Sequence, residues 1–310
     1  RRRRTIIASM PASARGEHVR WYGHSLGAIY AAERERGARV VQLNHPRVNG
    51  ECGVLCTTDF DRITGEPRLT DPTRLGLPAD EPLWSWDFDA VEVMNSARSP
   101  FPIADRERES GMLLDWLAFW NLGHPVLGVA VTDVHGLFTP GEPRTYLSVA
   151  DDDPGTISED ALVGAALGAR GVISAGAFAD VTVGGAGPGD LGTAEGGEAT
   201  LTIRVQALQE IDVRTIYVLV NCDETLVLPA TDPGGVIKLE TSVVLPLLSD
   251  AHVVVLGMGA DPMPLGFDGY DAATVPRFLA NPVRVDADGD GVWTPPGGKT
   301  CALSAALWAP

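Results

Sequence analysis

The chain has 310 residues and a mass of 32.8 kDa, long enough for two domains or one large one and able to bury a core without disulfides or a metal. Apolar residues make up 45% and charged residues 21%, which excludes a disordered chain. The 24 basic and 41 acidic side chains give a formal charge of −17, so nucleic acid and anionic membrane surfaces, which would repel it, are not expected as partners.

The sequence opens Arg1-Arg2-Arg3-Arg4, with no Met and no apolar signal-peptide run, and is expected to be a piece of something longer. No apolar stretch is long enough to span a bilayer. The first motif is Gly23-His24-Ser25-Leu26-Gly27, which fits the G-x-S-x-G nucleophile elbow of a serine esterase with Ser25 as nucleophile. Only 22 residues precede Gly23, and the segment before it, EHVRWY, is charged. An elbow instead follows several apolar strands. The competing reading makes Ser25 the N-cap of a helix that begins near Leu26.

Helix-like and strand-like segments then alternate. Ile29–Gly37 reads as helix and 38–43 (ARVVQL) as a short strand running into Asn44-His45-Pro46-Arg47. Cys52-x3-Cys56 has no second Cys or His pair nearby, so a local disulfide or two thiols is preferred to zinc. Trp84 and Trp86 read as packing residues, with a pocket lining as the alternative. Residues 89–94 (DAVEVM) form a second strand that carries Glu92 and ends at Asn95. Residues 105–122 read as an amphipathic helix, with Leu113, Leu114, Leu117 and Trp120 on one face. Residues 125–131 (PVLGVAV) are apolar throughout, as in a strand buried on both sides, and lead into Thr132-Asp133-Val134-His135.

The pattern changes in the second half. Residues 184–197 (GGAGPGDLGTAEGG) read as a loop. Leu201, Ile203, Val205 and Ala207 alternate with polar residues, and strands follow at Ile216–Val220, 237–245 and Val253–Leu256, a β-sandwich pattern. The expected organisation is therefore α/β plus all-β, a partial barrel over 1–180 and a β-sandwich-like domain over 181–310. Asp286-x-Asp288-x-Asp290-Gly291 fits the first half of a calcium loop, although its twelfth position is Gly297 rather than Glu. Asp286, Asp288 and Asp290 are its candidate ligands; a solvated acidic turn is the alternative. Asp151-Asp152-Asp153 lacks this spacing and reads as a loop.

Three strands in the first half thus end in chemically able residues. In a parallel α/β fold the carboxyl ends of the strands converge on one rim. Asp133 and His135 are two apart and face one side of an extended segment. They offer an oxygen and a nitrogen to a divalent metal, and His45 reaches the same rim.

Residues 40–47 (VVQLNHPR), 87–95 (DFDAVEVMN), 115–135, 141–149 (GEPRTYLSV) and 281–297 (NPVRVDADGDGVWTPPG) together resemble the carbaryl-hydrolase (CehA/McbA) branch of the PHP-domain metallohydrolases. The resemblance runs in order over about residues 21–300. It implies a distorted (β/α) barrel with two or three divalent ions (Zn, Mn or Fe) and hydrolysis of a phosphoester, carbamate or ester in a small molecule. His45 matches the Asn-His-Pro histidine, Asp133 and His135 the terminal Asp-x-His pair, and Glu92 an acidic position near the metals. The His-x-His pair that opens PHP domains occurs nowhere in the chain.

The leading expectation is therefore a PHP-type metal-dependent hydrolase, with Arg47 holding a substrate oxygen and Asn44 orienting the site. The alternative is a non-catalytic, calcium-stabilised binding or structural protein on a degenerate barrel. A secreted or periplasmic location is preferred slightly over the cytoplasm.

Overall fold

A computed structural model describes residues 7–8, 23–47, 53–95, 111–133, 141, 143–151, 153–263, 275–304 and 307. The chain is mixed α/β and mostly sheet. The first sheet has the order β1-β2-β3-β4, with β1 at Ile7–Ala8, β2 at Val41–Leu43, β3 at Ala90–Asn95 and β4 at Leu127–Val131. Strands β2, β3 and β4 run parallel, so their carboxyl ends lie side by side. Helix α1 (Leu26–Glu35) leads into β2, and a short helix α2 (Val54–Thr57) follows it. Helix α3 (Met112–Asn121) precedes β4. Among the described residues this sheet is open and no barrel closes.

The remaining strands build a second body. They are β5 (Arg144–Leu147), β6 (Gly171–Ala175), β7 (Ala177–Val183), β8 (Leu191–Thr193), β9 (Glu198–Ala207), β10 (Thr215–Val220), β11 (Asp223–Pro229), β12 (Ile237–Pro246), β13 (Ala251–Met258), β14 (Arg277–Ala280) and β15 (Val283–Asp286), with helix α4 (Glu159–Leu167) after β5. An eight-stranded sheet has the path β11-β10-β13-β14-β6-β5, with β15 on β13 and β8 on β15; β12-β9-β7 form a separate three-stranded sheet.

The central strands of the large sheet are buried on both faces, as the pleat of β10 and β13 shows. In β13, Val253 and Val255 join one apolar cluster with Leu201, Ile203 and Val205 of the small sheet. Val254 and Leu256 point the other way, into a cluster with Trp116, Trp120 and the first sheet. Ile216 and Val218 alternate with Tyr217 and Leu219 in the same manner along β10. Helix α3 lies in the second cluster and is buried at every position, which corrects the expectation of an amphipathic helix over its described part. A helix covered on all sides has no solvent face to mark with polar residues. Trp116 and Trp120 both donate their indole N–H to Val126 O, at 3.0 and 3.1 Å.

The change of sheet falls between β4 and β5. The glycines of 184–197 mark turns inside the second body, and β8 interrupts the loop expected there. The two bodies are joined by Asn281, which is fully buried. Its side chain accepts from Gly128 N at 2.7 Å and donates to Gly128 O and Gly171 O, both at 3.0 Å, tying β4 to β6. Gly128 itself lies against Trp116, whose ring would stand 2.8 Å from an added Cβ.

The disulfide Cys222–Cys301 fastens the C-terminal strap to the turn between β10 and β11, and Cys56 is also disulfide-bonded. Among the described residues no helix is long and apolar enough to cross a membrane.

Candidate functional site

The parallel strands bring His45, Glu92 and Asp133 together. His45 follows β2, Glu92 lies in β3 and Asp133 follows β4. His45 Nδ1 is 3.1 Å from Glu92 Oε1, and His45 Nε2 is 3.7 Å from Asp133 Oδ1. The carboxylates therefore address opposite edges of one imidazole. Glu92 is 5% exposed, and its Oε1 also accepts from Asn95 Nδ2 at 3.1 Å. Its second oxygen, Oε2, is buried with no hydrogen-bond partner among the described residues. A buried carboxylate oxygen left in that state is costly unless a proton or a cation meets it.

Two backbone observations mark the same place. His45 and Asp133 both have positive φ, 49° and 53°, in the left-handed region where residues other than glycine are uncommon and strain gathers at functional sites. The turn at His45 is held from outside. Gly53, at the start of α2, passes so close that an added Cβ would lie 2.1 Å from His45 O and 2.2 Å from Pro46 O. Leu55 N donates to Pro46 O at 3.1 Å.

Among the described residues, His45 Nε2 and Asp133 Oδ1 could offer two ligands to a divalent metal. A neutral histidine whose Nδ1–H is fixed by a carboxylate presents Nε2 as a ligand, and such partners set the tautomer and orientation of metal-bound histidines. Nε2 faces the Asp133 carboxylate, an oxygen ligand suited to zinc, manganese or iron. Glu92 lies on the far edge of the ring, at Nδ1. His135 lies outside the described residues.

The other expected site residues are placed differently. Asn44 Oδ1 accepts from Gln42 Nε2 at 2.5 Å, which binds it to its own strand rather than to His45. Arg47 turns to the buried Asp115 of α3: its Nε donates to Oδ2, and its Nη2 donates to Oδ1 at 3.0 Å. Arg62 Nε reaches the same Oδ1 at 2.8 Å. The guanidinium assigned to a substrate oxygen is thus occupied with a helix carboxylate.

Ser25 is a cap. It is 2% exposed, accepts from Ala28 N at 3.2 Å and donates to Glu81 Oε1 at 2.5 Å. The hydroxyl proton goes to a carboxylate, and among the described residues no imidazole is bonded to Ser25, an arrangement that suits a helix cap.

A second group of acids gathers in the β-rich body. Oxygens of Asp250, Asp286 and Asp288 lie within 4.8 Å of one another, and among the described residues they are the one group of metal-ligand type that converges so closely. They could hold a metal ion. Asp286 and Asp288 belong to the expected calcium loop. Asp290 does not join them, since its Oδ1 accepts from Val292 N at 2.7 Å in an exposed turn; Asp250 takes its place. The register of β13 on β15, Ala251↔Val285, sets Asp250 next to Asp286, a proximity that a separation of 36 positions conceals in the sequence. Asp250 and Asp286 are buried and accept backbone N–H groups: Asp250 from Ala287 and Thr294, Asp286 from Gly289 and Gly291.

The sequence reading also left Asn95 without a role, although it closes the quoted strand DAVEVMN; its amide steadies Glu92. No protein-family model matches the chain, and no curated protein matches it.

Proposed function

We propose that the chain carries a metal-dependent hydrolase site of PHP type, acting on a phosphoester, carbamate or ester bond of a small molecule. The observation that carries this reading is the His45 ring held between Glu92 and Asp133 at the ends of adjacent parallel strands, with left-handed backbone at both His45 and Asp133. His45 Nε2 and Asp133 would hold the ion, with His135 expected from the Asp-x-His spacing to add a further ligand. Glu92 accepts the Nδ1 proton of His45 and keeps Nε2 unprotonated, while Asn95 fixes Glu92. When bound, zinc, manganese or iron supplies Lewis-acid polarisation of the scissile carbonyl or phosphoryl group. Arg47 braces the loop behind His45 against Asp115.

The test compares metal content and hydrolysis of bis(p-nitrophenyl) phosphate and an aryl carbamate in the wild type, His45→Ala and Asp133→Ala. The wild type is expected to retain metal and to hydrolyse one of the substrates, and the variants to lose both properties. Equal metal content in all three would refute the site.

A second reading concerns the Asp250–Asp286–Asp288 group. Two buried carboxylates with no ion-pair partner among the described residues favour a cation. Carboxylate oxygens on a tight Asp-rich turn suit calcium, bound as a structural ion of the sandwich-like body. A non-catalytic, calcium-stabilised protein would keep this site and lack the first. The Cys222–Cys301 disulfide favours an oxidising compartment, secreted or periplasmic, for either reading.

A further inference from the structure

We propose that the Cys222–Cys301 disulfide is redox-active in the folded protein: a small dithiol attacks it at Cys301, Cys222 leaves as the thiolate, and the C-terminal strap loosens. This inference needs no metal and is independent of the proposed hydrolase site.

The two sulfurs differ in access. Cys222 is fully buried. Cys301 is only partly buried and, with Thr300, lines a cavity of about 530 Å³ that also borders Leu114 and Ala118 of α3. That volume is within the range of small-molecule sites. Thiol–disulfide exchange depends on which sulfur the attacking thiolate can reach and on how readily the other one leaves. Access selects Cys301.

The leaving side is prepared by the fold. Burial in apolar surroundings by itself raises the pKa of a cysteine and makes its thiolate a poor leaving group. Here the buried Asn121 donates from Nδ2 to Cys222 Sγ at 3.2 Å. Its Oδ1 lies 2.7 Å from His252 Nε2, so the amide is held at both ends. A disulfide sulfur is a weak, neutral acceptor and a thiolate is a charged one, so this hydrogen bond strengthens as Cys222 leaves. The donor therefore favours the reduced pair over the oxidised one.

The backbone marks the same position. Asn221 and Cys222 form the two-residue turn between β10 and β11, with φ of 50° and 69°. Asparagine is usual at the first position of such a turn, and glycine at the second. Cys222 stands where glycine is favoured, so its sulfur is kept against the local conformational preference, and strained or exposed disulfides are the labile ones.

The exchange balances. One thiolate of the dithiol bonds to Cys301 Sγ while the Cys222–Cys301 bond breaks, and the electron pair departs with Cys222. The second thiol then displaces Cys301 and closes the reductant's own disulfide. Two electrons and two protons pass from the dithiol to the two cysteines. The strap is then left with contacts at the partly exposed turn: the Lys299–Asp223 ion pair, Glu224 N to Ala302 O at 2.8 Å, and Ala302 N to Asp223 Oδ1 at 2.9 Å.

The test reacts the full chain with dithiothreitol in native buffer, quenches with iodoacetamide and maps the peptides by mass spectrometry, which separates Cys222 and Cys301 from Cys56. Both are expected to be alkylated without urea, at a rate within about tenfold of that in urea. The monothiol 2-mercaptoethanol should be trapped on Cys301, with the alkyl group on Cys222, in at least about tenfold excess over the reverse. Endoproteinase Lys-C reads the strap, since the only lysines are the fully buried Lys238 and Lys299 of the strap. Reduction should speed cleavage after Lys299 by about tenfold or more, a small part of what closing so long a loop contributes. Reduction that requires urea would make the disulfide a purely structural cross-link. A 2-mercaptoethanol adduct on Cys222 would reverse the direction of attack, and unchanged Lys-C cleavage would mean that this bond does not hold the strap. Any of the three would overturn the inference.

Discussion

His252 makes acid stability a measurable property of the interior. It is fully buried on β13, and its Nε2 lies 2.7 Å from Asn121 Oδ1. Asn121 Nδ2 donates to Cys222 Sγ at 3.2 Å, so the amide oxygen faces the ring and Nε2 carries the proton. Nδ1 is buried without a partner among the described residues, and the rings of Trp120 and Trp293 lie 6.0 and 6.3 Å away. Protonating Nδ1 would bury a charge and an unmatched donor together. Burial, with the charge of Lys299 as a lesser cause, holds the pKa at about 3 rather than 6.5.

The sign follows from proton counting. As the pH falls below about 6.5 the unfolded chain binds a proton at this position and the folded chain does not, so stability drops. The full contribution is present above the unfolded pKa and is lost progressively toward pH 3. From about pH 8 to about pH 5 the loss amounts to about 2 kcal/mol. Urea unfolding followed by tryptophan fluorescence, on wild type and His252→Gln at both pH values, isolates the term. The other histidines and the carboxylates titrate in both proteins and cancel. The variant is expected to start less stable and to lose about 2 kcal/mol less on acidification. An identical pH dependence in the two proteins would refute the reasoning.

Two further outcomes test how the bodies are joined and what the acidic loop holds. Asn281→Ala leaves Gly128 N and O without their side-chain partner and removes one of the two bonds to Gly171 O, and should cost about 3 kcal/mol in urea unfolding; a loss below about 1 kcal/mol would mean that the two bodies are held by packing alone. Calcium at about a hundredfold excess over its Kd should stabilise the wild type by about 2.7 kcal/mol and leave Asp286→Asn unmoved; identical melting in calcium and in EDTA would dismiss the loop as a metal site.

Much of the first sheet was legible in the sequence because each strand is short, apolar and ended by polar residues. Val41–Leu43, Ala90–Asn95 and Leu127–Val131 all fall where the apolar runs lie. Strand β9 was equally plain, since its exposed and buried residues alternate with period two. The strands β14 and β15 were not foreseen. At four residues each, buried almost throughout, they carry no periodicity to read.

The candidate site divides in the same way. Local chemistry in the sequence was enough to single out His45, Glu92, Asp133 and the Asp286–Asp290 run, because strand ends and alternate carboxylates are features of neighbouring positions. Partnership across the chain was decided only by the tertiary structure. Parallel pairing set His45 between two carboxylates; the fold paired Arg47 with Asp115 and gave the Ser25 hydroxyl Glu81 as acceptor. The β13–β15 register replaced Asp290 with Asp250. Sequence periodicity reports which way a side chain points from its own element; what it meets there depends on residues tens of positions away, and the burial and charge of those residues decide its chemistry.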